Sequence, residues 1–209
     1  FDVRKNQWDD ALMEKMGIPP QMLPEVRPCD ARFGLAVEPR EAFQKPLPVM
    51  ASIGDQMSAL FGQTCFRRGE AKCTIGTCLN LVTYTGRYEP PANGILPAIA
   101  ANRSGELTYE LEGGVYVAGS INEWLTDQLG IADSPKEIDA LAMQVEDSGG
   151  VYFVPAFQGL GAPHWNSGAR ALIIGLSRFH DKRHICRAAI ESIALQTNDV
   201  MDTLKQRFG

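Results

Sequence analysis

Seven prolines crowd residues 18–48: Pro19, Pro20, Pro24, Pro28, Pro39, Pro46 and Pro48. Each fixes its own φ, removes a backbone donor and pushes the residue before it away from the helical region. This stretch is expected to be extended and irregular. Ahead of it, residues 1–17 predict a short amphipathic helix, with Trp8, Leu12, Met13 and Met16 on one face and Gly17 closing it.

Beyond the prolines, strand and helix patterns take turns. Leu47 to Ile53 is short, apolar and β-compatible, and Asp55 opens a helix with Met57, Leu60 and Phe61 inward. Ala71–Ile75 and Leu79–Thr85 read as strands on either side of Gly76-Thr77, and Leu107–Leu111 alternates as a strand does. Gly113 and Gly114 precede an expected helix that buries Val117, Ile121, Trp124, Leu125 and Leu129. Ser134-Pro135 starts another, with proline in the first turn. Val151–Pro155 and Ala171–Leu176 read as short strands, and a long helix is expected from about Asp181 to Phe208. The mixture is that of an α/β protein.

The chain has 209 residues, 44% of them hydrophobic and 22% charged, which is enough apolar material for a real core. Its net charge is −5, with no basic run, and that composition argues against a nucleic-acid binder. No apolar stretch approaches the length of a bilayer span, so no membrane partner is expected. The five cysteines (Cys29, Cys65, Cys73, Cys78 and Cys186) form no CxxC pair, which points to reduced thiols and a cytoplasmic compartment. His180 and His184 have the spacing of one helix face, but no Glu or Cys beside them completes a ligand set. They are expected to be solvated histidines at a helix start, and no metal site is assigned.

Three segments could carry chemistry. In the first, Asp55 follows a strand and opens a helix, where a carboxylate can take the proton of a hydroxyl nucleophile. The same position suits a helix cap. In the second, Thr74-Ile75-Gly76-Thr77 makes a tight turn whose amides and hydroxyl can cradle phosphate oxygens, or a plain hairpin turn. No GxxxxGK[ST] is present, which excludes a P-loop of that form. In the third, Phe153 to Trp165 packs Gly159, Gly161 and Pro163 into an irregular path, either lining a ligand or held at the surface by Trp165.

Taken together, these segments resemble the FGGY carbohydrate kinase family, in particular its glycerol-phosphorylating branch. The likeness runs through Trp8–Pro28, Ile53–Lys72, Leu111–Leu125, Phe153–Trp165 and Ala171–Glu191. It implies an actin-like (ribonuclease H-like) ATPase fold, here partial. Residues 1–64 would be the end of the N-terminal domain and residues 65–209 the first part of the C-terminal domain. It implies ATP and Mg²⁺ as cofactors and a polyol as substrate. The expected reaction is glycerol to glycerol 3-phosphate, or the equivalent step on another sugar or polyol such as a ketose or pentitol. A kinase-like protein that binds a metabolite without turnover is the alternative.

By the same resemblance Asp55 is the general base, Gln56 hydrogen-bonds a substrate hydroxyl, and Gly76, Thr77, Gly119 and Glu123 hold the nucleotide. Asn80 stands where the branch carries a Phe against its substrate, offering hydrogen bonds in place of contact area and admitting a more polar polyol. Glu123 stands where a Gln is usual. Family members self-associate, which makes a homo-oligomer an expectation here. The family's outer motifs have no counterpart in this sequence, so the chain reads as the middle of a longer kinase, inactive as a separate piece.

Overall fold

The computed structural model describes residues 1–37 and 45–208. Its helices are α1 (Asp10–Met16), α2 (Asp55–Gly62), α3 (Ser120–Asp127), α4 (Pro135–Ala142) and α5 (Lys182–Phe208). Strands β1 (Gly34–Ala36) and β2 (Leu47–Val49) pair antiparallel, as do β7 (Tyr152–Val154) and β8 (Leu172–Ile174). Between them, β3 (Ala71–Ile75), β4 (Leu79–Tyr84), β5 (Leu96–Arg103) and β6 (Glu106–Val115) form a four-stranded sheet in the order β3-β4-β6-β5. Among the described residues no helix is long and apolar enough to cross a membrane.

The residues group into two compact units. The first holds Phe1–Ala71, Thr83–Pro90 and Pro97–Leu111. The helix expected over residues 1–17 is confined to Asp10–Met16. The Asp9 side chain accepts from the Leu12 N–H at its start, and Gly17 ends it at φ 68°, a left-handed turn that glycine adopts without steric cost. The proline-rich stretch is not wholly irregular: Pro20–Met22 is a 3-10 turn, and β1 and β2 pair across it. Pro39 lies outside the described residues. β2 stops at Val49, short of the expected Ile53, and all three of its residues are exposed. Two contacts tie the Cys29–Asp30 bend to the β5–β6 hairpin: Cys29 N–H to Asn102 O at 2.6 Å, and Ser104 N–H to the Asp30 carboxylate at 2.9 Å.

The second unit holds Lys72–Val82, Pro91–Leu96 and Glu112–Gly209. Its core packs α3, α4 and α5 over the inner face of β7–β8. Ile121, Leu125, Ile138, Val151, Phe153, Cys186, Ala188 and Ala189 are buried there together. Strand alternation decides which side of the small sheet is inside: Phe153 pairs with Ile173 and faces the core, while Tyr152, Leu172 and Ile174 point outward. Ser134 caps α4, its hydroxyl accepting from the Glu137 N–H, with Pro135 in the first turn.

Several expectations are corrected here. Gly113 and Gly114 sit inside β6, and the helix expected after them, α3, starts only at Ser120, with Ile121 and Leu125 buried as expected. A Cβ at Gly113 would stand 2.4 Å from a Val200 methyl, so glycine serves close packing of strand on helix. Leu129 lies beyond the end of α3 and is exposed. Of the residues expected inward on α2, Leu60 is buried but Phe61 is 45% exposed. His180 lies before α5 rather than on it, and His184 is buried, not solvated. His180 bonds the Ser177 N–H through Nδ1 at 2.8 Å and the Gly149 carbonyl through Nε2 at 2.9 Å. His184 Nδ1 lies 3.2 Å from Asp181 Oδ1.

Candidate active site

Asp55 is the first residue of α2, and Gly54 is the N-cap, without a side-chain capping bond. The alternative of Asp55 as a plain cap is therefore not what the backbone adopts. The carboxylate is exposed. Its Oδ1 accepts from the Gln56 backbone N–H at 2.8 Å, and its Oδ2 from the Gln56 side-chain amide at 3.3 Å. Asp55 and Gln56 thus form one polar pair at the positive end of a helix, where a negative group is favoured.

In the second unit, Gly76 and Thr77 form a tight turn closed by Gly76 N–H to Cys78 O at 2.9 Å. The turn docks onto the start of α3. Gly119 N–H donates to Gly76 O at 2.8 Å, Ala118 N–H to Thr77 O at 3.0 Å, and the Ser120 hydroxyl to Thr77 O at 3.0 Å. A Cβ on Gly119 would lie 2.6 Å from Gly76 O, so this approach requires glycine. The structure thus brings Gly76, Thr77 and Gly119 together.

A groove of about 380 Å³ opens beside the turn, lined by Thr77, Tyr116, Ser120, Glu123, Trp124 and Phe157 among others. Thr77 and Glu123 are exposed. Trp124 and Phe157 pack at 4.8 Å between ring centroids. An aromatic wall next to a hydroxyl-bearing turn suits a nucleoside with its phosphates toward Thr77, so the residues present fit an adenine nucleotide. They do not form a metal cage: among the described residues no group of three or more His, Cys, Asp or Glu gathers.

Asn80, on β4, is half-buried and donates its side-chain amide to Glu112 on β6. Its Oδ1 is buried without a hydrogen-bond partner. The Phe153–Trp165 segment places Phe157 and Gln158 in the groove wall, while the Trp165 indole donates to Gly94 O. The segment therefore combines both readings open to it, a ligand-lining part and a tryptophan-held part. The first unit has a cavity of its own, about 520 Å³, largely apolar and lined by Met57, Leu60, Phe61 and Cys65 among others; none of the sequence-predicted site residues lines it.

Sequence reasoning missed Tyr116, Ser120, Trp124 and Asp127 in the groove. A signal existed, because Gly119, Glu123 and Asp127 recur every four residues and share one face of α3. It missed Glu112 as the partner of Asn80, which needs the pairing of β4 with β6.

Comparison with known proteins supplies the frame for these features. The model of the FGGY family of carbohydrate kinases, C-terminal domain, matches residues 71–208, and the N-terminal domain of that family matches residues 1–62. A glycerol kinase of Carboxydothermus hydrogenoformans is 42% identical over all of this chain and 42% of its own length. One of Clostridium botulinum is 43% identical over the same shares. The crystal structure of Plasmodium falciparum glycerol kinase with ADP superposes with a TM-score of 0.83 at 36% identity, covering 99% of this chain and 41% of that one. The chain thus spans well under half the length of the relatives it matches, and its architecture is part of the actin-like ATPase fold. On the strength of both domain matches, the chain belongs to the FGGY family of carbohydrate kinases.

Proposed function

We propose that this chain is the central part of an ATP-dependent polyol kinase whose first substrate is glycerol. Residues 1–64 close its N-terminal domain and residues 65–209 open its C-terminal domain. Asp55 takes the proton of the substrate hydroxyl. The freed oxygen attacks the γ-phosphorus of ATP, the bond to the β-phosphate oxygen breaks, and ADP leaves with that electron pair. Gln56 steadies the carboxylate and meets a neighbouring substrate hydroxyl. Gly76, Thr77, Gly119 and Glu123 hold the nucleotide, and Asn80 contributes its polar wall to the substrate. Such a transfer asks for positioning and charge neutralisation more than for covalent help. Mg²⁺ would offset the phosphate charge, and among the described residues no group of three or more His, Cys, Asp or Glu gathers to hold it.

The observation that carries the reading is the exposed Asp55 carboxylate at the first position of α2, where Gly54 rather than Asp55 is the N-cap. Identity above 40% to glycerol kinases across the whole chain supports glycerol. Five unbridged cysteines support a reducing, cytoplasmic setting. Self-association belongs to the same reading and is checked by light scattering.

A coupled ADP-release assay on the full polypeptide, with glycerol and a panel of longer polyols and ketoses, tests the proposal. Turnover with glycerol that is lost in Asp55→Asn while ADP binding persists is the expected result. Normal turnover in that variant removes Asp55 from its role, and no turnover with any acceptor removes the reaction.

A further inference from the structure

The Asn80 side chain is turned by its neighbour. Asn80 lies on β4 between the buried Leu79 and Leu81, and its NH2 group donates to Oε1 of Glu112 on β6. An ionised carboxylate only accepts, so it holds the NH2 group and not the carbonyl. The Asn80 carbonyl oxygen is left buried without a hydrogen-bond partner. A buried carbonyl in that state is unfavourable, so the bond to the carboxylate outweighs it, as a charge-assisted bond can. Glu112 is fixed in its turn by the strand. A Cβ on the next residue, Gly113, would meet Val200 and Ile95, and strand alternation turns Glu112 to the opposite face of the sheet. Glu112 is half-buried, and among the described residues no lysine, arginine or histidine pairs with it. Its charge therefore stands beside Asn80 without a cation to offset it.

We infer that Glu112 is a specificity-determining residue of the acceptor site, whose carboxylate, held beside Asn80, admits neutral polyols and rejects sugar acids. The inference rests on the reading of Asn80 as part of the substrate wall. A polyol hydroxyl near the pair finds an acceptor in the carboxylate. A substrate carboxylate in the same place meets a like charge in a partly buried setting, where the repulsion is far less screened than in water. Selection of this kind works by a repulsive element against the wrong ligand, not only by contacts to the right one. Glu112 also sets the orientation of the Asn80 amide, so one side chain supplies both the charge and the turn of its neighbour.

The test is competition against glycerol in the coupled ADP-release assay on the full polypeptide, with glycerate and its neutral counterpart glyceramide as inhibitors. The two differ chiefly in charge. Glyceramide is expected to inhibit at least about tenfold more strongly than glycerate. Glu112→Gln keeps an oxygen that accepts from Asn80 and removes only the charge. In that variant the gap should narrow to about threefold or less, because the repulsion is gone while the shape remains. A purely structural role for Glu112 would weaken glycerol, glycerate and glyceramide together and leave the gap as it was. Equal inhibition by the two compounds in the unsubstituted protein overturns the inference, and that result needs no variant to fold. So does a gap unchanged in Glu112→Gln. If glycerol is phosphorylated with either of these results, the specificity inference alone falls. If no acceptor is phosphorylated, the kinase reading falls with it.

Discussion

Gly119 donates its backbone N–H to the carbonyl of Gly76 at 2.8 Å, and a methyl group at Gly119 would come within 2.6 Å of that oxygen. The contact locks the Gly76-Thr77 turn to the first turn of α3. Because Gly119 has φ −59°, an ordinary value for any residue, the demand for glycine here is one of space rather than backbone strain. Gly119→Ala must therefore move the turn or the helix start. The expected cost is about 1–3 kcal/mol of stability, read by urea unfolding, the range for overpacking a fitted contact. ADP affinity should fall by about tenfold or more, since the displaced turn no longer presents Thr77 in register. Unchanged affinity would separate the turn from nucleotide binding.

Asp55 allows a cleaner separation of folding from chemistry. Gly54 caps α2, and the Asp55 side chain is exposed and bonds within its own dipeptide. Asp55→Asn removes a charge from the helix start, worth about 0.3–1 kcal/mol at an exposed position. Thermal unfolding should show a shift of only a few degrees, while turnover of the full polypeptide drops by orders of magnitude. A large loss of stability would instead mark Asp55 as a structural residue.

The order of elements was largely readable from residues. Alternation located β3, β4 and the start of β6, and a Ser-Pro pair located α4 to the residue. Strand β5 was missed because five of the eight residues of Leu96–Arg103 are alanine, asparagine or proline, with little β-branched content to announce it. Its place beside β6 comes from tertiary pairing, which local propensity does not encode. The double glycine at Gly113-Gly114 misled for a related reason. Read locally it is a break, yet Gly113 lies inside a strand because Val200 of α5, far along the chain, packs where its side chain would be. At the candidate site, Asp55 and the Gly76-Thr77 turn stood out from the residues themselves, while Gln56 and Gly119 entered only through the family resemblance. Asp127 and Glu112 were not legible, since one needed the helix face followed a turn further and the other needed a strand neighbour.

The cysteines should differ sharply in reactivity. Cys186 has no exposed surface, and burial pushes its thiol up to about 11. Burial also raises the thiols of Cys65 and Cys73. Cys78 is exposed at the rim of the Thr77 groove, its sulfur 3.0 Å from the Tyr116 carbonyl. Since the thiolate is the reactive form, iodoacetamide at mildly alkaline pH should label Cys78 early and Cys186 only on unfolding. Peptide mass spectrometry over a time course reads the order directly. ADP should slow labelling of Cys78 and leave Cys73 unaffected if the groove holds the nucleotide.

The start of α5 carries an acid-sensitive contact. Asp181, just ahead of the helix, accepts from the Arg183 side chain at 2.6 Å and 2.9 Å and from its backbone N–H at 2.9 Å. The Arg183 guanidinium, with that backbone bond and His184 adding to it, holds the Asp181 carboxyl well below the usual carboxylate range. A carboxyl whose pKa is lower in the folded than in the unfolded chain stabilises the fold above the unfolded value, and the contribution drains away as pH falls toward the folded value. The unfolded value is about 4, so the window opens below that pH. The melting temperature of the native chain should exceed that of Asp181→Asn by a constant margin from neutral pH down to about pH 4, and the margin should shrink below it. Exposure and salt screening keep the margin small, so it should also narrow in concentrated salt. A margin that persists unchanged at the lowest pH would show that the asparagine, rather than the lost charge, is responsible for it.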